Sequence, residues 1–176
     1  MRMLVYLNPG HDIRLDSGAV NRELNLRECD LARRAGTASA RLLREAGHDV
    51  LVGQADNLSR ICTEANEAGA DIFISIHFNA FNTHVGGTEV YVSGSAASAR
   101  LGASIYENLQ KSLHFAPRGL KDGSRLFVLR QTVMPSVLAE ICFIDNTAEI
   151  RRYLETEAEA AAALVAGVEN YLRSGG

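Results

Sequence analysis

Apolar and polar positions fall into two alternating kinds of block along this chain. Short apolar runs recur at residues 3–7, 49–52, 71–76, 88–92, 126–129 and 136–141, and each predicts a strand. Longer stretches between them carry apolar residues at helical spacing. Residues 28–46 place Leu31, Ala35, Ala38, Leu42 and Ala46 on one face, with Gly47 as a stop. Residues 58–68 form a second predicted helix, capped by Asp56 or Asn57 and closed by Gly69. Leu101, Ile105, Leu109 and Leu113 step by fours and mark a third. The last helix is predicted from Thr156, with Glu159 three residues on completing a capping box. Its buried stripe is Leu164, Val168 and Leu172.

Near-continuous apolar strands alternating with helices imply an α/β fold. The expectation is a three-layer sandwich with a mostly parallel, roughly six-stranded sheet flanked by helices. One domain is expected over residues 1–173, with 174–176 as a flexible tail. Right-handed crossovers gather the strand-to-helix loops at one edge of such a sheet, and ligands bind outside the carboxyl ends of its strands.

Composition narrows the function classes. Of 176 residues, 47% are hydrophobic and 22% charged, which suits a folded globular chain. The formal net charge of -3 gives no overall attraction to nucleic acid or to an anionic membrane. Arg33, Arg34, Arg41 and Arg44 read as the solvated face of a helix. Cys29, Cys62 and Cys142 are odd in number and form no CxxC pair, so free thiols are expected rather than a disulfide framework. The opening apolar run is too short for a signal peptide and no stretch is long enough to span a bilayer. The expectation is synthesis in the cytoplasm with no membrane insertion, and a monomer.

The candidate chemistry clusters at the sheet edge where ligands bind. His11 follows the first strand, His77 ends the third, Glu140 lies near the end of the last, and Glu28 opens the first helix. Two histidines and one carboxylate, with water in the fourth place, form a catalytic zinc ligand set. Each histidine taken alone also reads as a structural residue, and Glu28 in a first helical turn is favoured by the helix dipole anyway. Glu23 competes with Glu28 as the third ligand. Glu140 sits in an apolar strand, where a carboxylate is costly unless paired. Either Arg125 or Arg130 pairs with it, or burial raises its pKa and makes it a base. The second reading is preferred. His48, His84 and His114 carry less weight. A nucleotide-binding loop is excluded, because Asn8-Pro9-Gly10-His11 holds a single glycine.

Several segments, in order, resemble one family. They are Leu7-Asn8-Pro9-Gly10-His11, Asp16-Ser17-Gly18-Ala19, Glu28-Cys29-Asp30-Leu31-Ala32 and Leu58-Ser59-Arg60 with Ala65-Asn66. Ser75-Ile76-His77-Phe78-Asn79-Ala80 and Gly87-Thr88-Glu89-Val90-Tyr91 follow, then Val128-Leu129-Arg130 through Met134-Pro135 to Glu140, and Phe143-Ile144-Asp145-Asn146 with Glu149. Together they resemble the zinc-dependent N-acetylmuramoyl-L-alanine amidases, cell-wall hydrolases that include autolysins and phage endolysins. The resemblance implies His11, Glu28 and His77 as ligands of one zinc ion per chain, choosing Glu28 over Glu23. It implies Glu140 as catalytic base and peptidoglycan or muropeptides as substrate, met at the cell wall after release. Arg130 and Asn79 are expected to support the site or touch substrate. The chain departs from the family pattern at Asp12-Ile13, Cys142 and Asp145, which bears on substrate preference.

Overall fold

The computed structural model describes residues 2–175, leaving Met1 and Gly176 outside. In chain order the elements are β1 (Leu4–Pro9), β2 (Val20–Asn21), β3 (Leu26–Arg27), α1 (Glu28–Glu45), β4 (Asp49–Val52), α2 (Leu58–Glu67) and β5 (Ile72–Asn79). There follow β6 (Thr88–Val92), α3 (Ala96–Leu113), β7 (Pro117–Asp122), α4 (Phe127–Gln131), β8 (Ser136–Phe143), α5 (Thr147–Glu155) and α6 (Glu157–Arg173). Six strands form one sheet in the order β4-β1-β5-β8-β6-β7, and β2 and β3 pair separately as a small antiparallel ribbon. Every neighbouring pair in the sheet is parallel except β6 with β8.

Three layers follow from which side of each strand is covered. Val5, Leu7, Ile72, Ile74 and Ile76 face a core shared with α1, α3, α5 and α6. Tyr6, Phe73 and Leu138 face the other way, against Ile61, Cys62 and Ala65 of α2 and Val128 and Leu129 of α4. Both faces of β1 and β5 are therefore buried, and their sequences read as unbroken apolar runs. All three cysteines are buried free thiols, as expected.

Four details differ from the sequence reading. Residues 126–129 are not a strand. They form the start of the one-turn helix α4, which drops Val128 and Leu129 into the second core. A four-residue apolar run fits either element, and local periodicity cannot separate them. The sixth strand is instead β7, Pro-Arg-Gly-Leu-Lys-Asp, which lies at the sheet edge and has the charged, proline-bearing makeup of edge strands. Helix α5 was not anticipated; Asn146 caps it by accepting from the Glu149 amide. Finally, Thr156 and Glu159 form no capping box. The Thr156 hydroxyl turns back to the Arg152 and Tyr153 carbonyls at the end of α5. In the expected tail, the Ser174 and Gly175 amides still bond to carbonyls of α6, while Gly176 lies outside the described residues.

The sheet topology sets where chemistry can sit. The carboxyl ends of β1, β5 and β8 share one edge. Because β6 runs against β8, its first residues arrive at that same edge.

Candidate metal centre and active site

His11 sits just past β1 in the left-handed region, at φ 64°. That conformation costs a non-glycine residue about 1–2 kcal/mol, and local bonds offset it. The Asp16 carboxylate meets His11 Nδ1 at 2.6 Å and also accepts from the Gly18 amide. With Nδ1 engaged, Nε2 is left facing Glu28 Oε2 at 3.1 Å. A carboxylate behind a histidine in this way fixes the ring's orientation and strengthens it as a ligand.

Glu28 is buried at the first turn of α1, and each of its oxygens meets one imidazole and one amide. Oε1 accepts from the Phe78 amide at 3.1 Å and meets His77 Nδ1 at 2.8 Å. Oε2 accepts from the Ala19 amide at 2.9 Å and faces His11. Two glycines permit this crowding. A side chain at Gly10 would strike the His77 ring at 2.3 Å, and one at Gly18 would strike His11 Cδ2 at 2.5 Å.

The electrostatics are those of a compact anion between imidazoles. Burial pushes the Glu28 carboxyl up, but hydrogen bonds and charge from His11 and His77 outweigh it and hold it at about 2. The hydrogen bond to Glu28 raises His11 to about 9 against the opposing effect of burial, with further help from Asp16. One donor atom each from His11, Glu28 and His77 lies within 4.8 Å of the others. This donor set can hold a metal, and mixed imidazole and carboxylate ligation suits zinc better than the all-oxygen ions calcium and magnesium. Glu23, the competing ligand, stands apart on the surface, paired with Arg151 at 3.2 Å.

Glu140 lies across β8 from this cluster. Its register partners are His77 on β5 and Glu89 on β6, so the three side chains form a row on one face of the sheet. Its Oε2 is fully enclosed and has no hydrogen-bond partner. Burial pushes its carboxyl well above the usual range, and the charges of Glu28 and Glu89 add to the rise. The expected alternative, an ion pair with Arg125 or Arg130, is absent among the described residues. Arg130 is exposed at the end of α4, with its guanidinium over the Phe127 ring at 5.9 Å. Both ends of the Asn79 amide are engaged: Oδ1 accepts from the Ala80 amide and Nδ2 donates to Glu89.

The sequence reading gave no role to Asp16, Glu89, Tyr91 or Arg118. Asp16 was legible as a carboxylate five residues after a candidate histidine. Glu89 carried the same sign as Glu140, a charge inside an apolar strand.

A cleft of about 460 Å³ holds His11, Glu28, His77 and Glu140, with Tyr91 and Leu138 in its wall. An apolar recess of about 220 Å³ adjoins it on the side of Leu58, Leu126 and Phe127. A wider polar groove of about 680 Å³ runs between residues 20–23 and the segments around His84 and Asn146. One side of that groove belongs to the loop over residues 81–87, which is laced to the start of α5. Asp145 accepts from the Phe81 and Thr83 amides, Asn146 donates to the His84 and Val85 carbonyls, and Glu149 accepts from the Gly87 amide. Asp145, a departure from the family pattern, thus holds the loop that borders the groove.

The structure resembles that of an N-acetylmuramoyl-L-alanine amidase from Clostridium difficile 630, with TM-score 0.93, 26% identity and 99% of each chain covered. In sequence it is 33% identical over 176 residues to the uncharacterized protein YqiI of Bacillus subtilis, covering 95% of this chain and 84% of that protein. It is 31% identical over 183 residues to the N-acetylmuramoyl-L-alanine amidase LytC of Bacillus subtilis, covering 96% of this chain and 35% of LytC. The chain spans less than half the length of most of the curated relatives it matches. No helix among the described residues is long and apolar enough to cross a membrane. Residues 5–170 match the family described as N-acetylmuramoyl-L-alanine amidase, which is generally metal-dependent, and the chain belongs to that family.

Proposed function

We propose that residues 1–173 act as one catalytic unit that hydrolyses the amide between the lactyl group of N-acetylmuramic acid and L-alanine of peptidoglycan, using one zinc ion. The observation that carries this reading is the pairing of a converging donor cluster, His11, Glu28 and His77, with a carboxylate, Glu140, one strand away, that has an enclosed oxygen without a partner. When bound, zinc lowers the pKa of water towards neutrality and polarises a carbonyl. Glu140 takes a proton from the attacking water, for which its raised proton affinity suits it. A carbon–oxygen bond forms, the carbon–nitrogen bond breaks, and Glu140 returns the proton to the departing alanine nitrogen. The products are a lactyl carboxylate and a peptide with a free amino terminus. Asp16 holds His11 in the ligand orientation, Asn79 fixes the chain leaving β5, and Arg130 contacts substrate beside the apolar recess.

Mass spectrometry of purified muropeptides after incubation with zinc-loaded protein tests this reading. Free peptides beginning at L-alanine are expected, and they should vanish on chelation. Cleavage at another amide would keep the hydrolase and move the bond; intact muropeptides would overturn the reading.

A further inference from the structure

Glu140 has a neighbour that the reaction just described does not use. Glu89 is its direct register partner on β6, 3% exposed, and three donors hold it. Asn79 Nδ2 and the Tyr91 hydroxyl donate to Oε1 at 2.8 and 3.0 Å, and Arg118 Nε donates to Oε2 at 2.7 Å. Two carboxylates therefore stand side by side, one held by three donors and one with an enclosed oxygen that has no partner. The cation on Glu89 is Arg118, on β7. Its guanidinium also lies 5.1 Å from the centre of the Phe143 ring, and Phe143 is on β8, the strand of Glu140. Arg118 thus reaches across β6 and overlies the strand that carries the base.

A carboxylate with an enclosed, unpartnered oxygen, whose register neighbour holds a guanidinium, is a competitor for that cation, since charge-assisted pairs are the tight ones and an unpaired buried charge is costly. Such a pair would occupy the oxygens that must accept and return a proton. We propose that Glu89 is a positioning residue that holds Arg118 away from Glu140 and so keeps the base free. The inference rests on the reading of Glu140 as the base. The two other donors on Glu89 fit the same role. They engage Oε1 and leave Oε2 to Arg118, so that the clasp is shared without competition.

The test compares wild type, Glu140→Gln, Glu89→Gln, Arg118→Gln and the double variant Glu89→Gln/Arg118→Gln, with muropeptide cleavage and zinc content measured for each. Glutamine at position 89 keeps an Oε1 acceptor for Asn79 and Tyr91, so the fold is retained. Glu89→Gln is expected to lower kcat by about tenfold or more, the loss that one tight ion pair on the base would cause, with KM little changed. Removing the guanidinium as well should restore most of that kcat, which a purely structural role would not allow. A double variant no faster than Glu89→Gln, or a Glu89→Gln protein as fast as wild type, would overturn the proposal while leaving the base assignment intact. An active Glu140→Gln protein would instead sink the base assignment. A crystal structure of Glu89→Gln gives a reading independent of substrate: Arg118 should be ion-paired with Glu140, and a guanidinium still on the substituted side chain or turned to solvent would refute the idea.

Discussion

Glu28 and Glu140 are both withdrawn from solvent at the same sheet edge, yet their surroundings drive them in opposite directions. Glu28 has four partners on two oxygens and is held near pH 2 despite its burial. Glu140 has an oxygen with none, and burial with two neighbouring negative charges raises it well above the usual range. Burial alone therefore does not decide whether a carboxylate is a permanent anion or a proton carrier. The decision lies in the partners: two imidazoles outweigh burial at Glu28, whereas at Glu140 burial prevails and the charges of Glu28 and Glu89 add to it. In the proposed reaction, one end of the row would hold a cation and the other would move a proton.

The sharpest way to break this contrast is to remove the proton carrier alone. Glu140→Gln should lower turnover about 10²–10⁴-fold and leave bound zinc unchanged, measured by muropeptide cleavage and elemental analysis on the same sample. Parallel loss of zinc would mean that the two ends are not separate. A smaller effect is expected behind the ligand end. Asp16→Asn should weaken zinc binding about 10–100-fold, read by competition with a chromogenic chelator, with activity recovering at excess metal. An unaltered affinity would remove Asp16 from the site.

The smallest effect concerns protons rather than metal. In metal-stripped protein His11 is raised from 6.5 to about 9, so its charged form stabilises the fold fully below pH 6.5. That stabilisation is lost as pH rises through about 9. Glu28 is already ionised in this window and adds no slope. The Tm of the metal-stripped protein should fall between pH 6.5 and 9, and His11→Gln should flatten the decline. A Tm that climbs over this range would contradict the ligand-end electrostatics.

Much of the arrangement was readable in the sequence because it obeys local rules. The strands β1, β5 and β8 are buried on both faces and show as apolar runs, and their ends mark where His11, His77 and Glu140 emerge. What was hidden depends on the partner rather than the segment. β7 is stabilised by pairing along β6 and looks like a loop on its own. Leu126 and its neighbours are apolar because they cover α2, and the run does not reveal whether a strand or a helical turn does the covering. Arg130 appeared to be a natural partner for Glu140, yet α4 carries it out over Phe127. Glu89 and Arg118 meet because β6 and β7, both reversed relative to the rest of the sheet, pair side by side, and no spacing along the chain encodes that.

That reversal has a further consequence. In an all-parallel sheet, every residue at the reactive edge stands at a strand's finish and is followed by a loop. Here Glu89 and Arg118 stand near the start of β6 and β7, so the loops that precede these strands arrive at the same edge of the sheet, and the one over residues 81–87 walls the groove beside the cleft. The site is reached by chain entering as well as chain leaving. Lengthening the segment over residues 81–87 would therefore reshape that groove from one side without altering the turns that carry His11 and Glu28. The wall of the groove and the donor cluster thus belong to different pieces of the same edge.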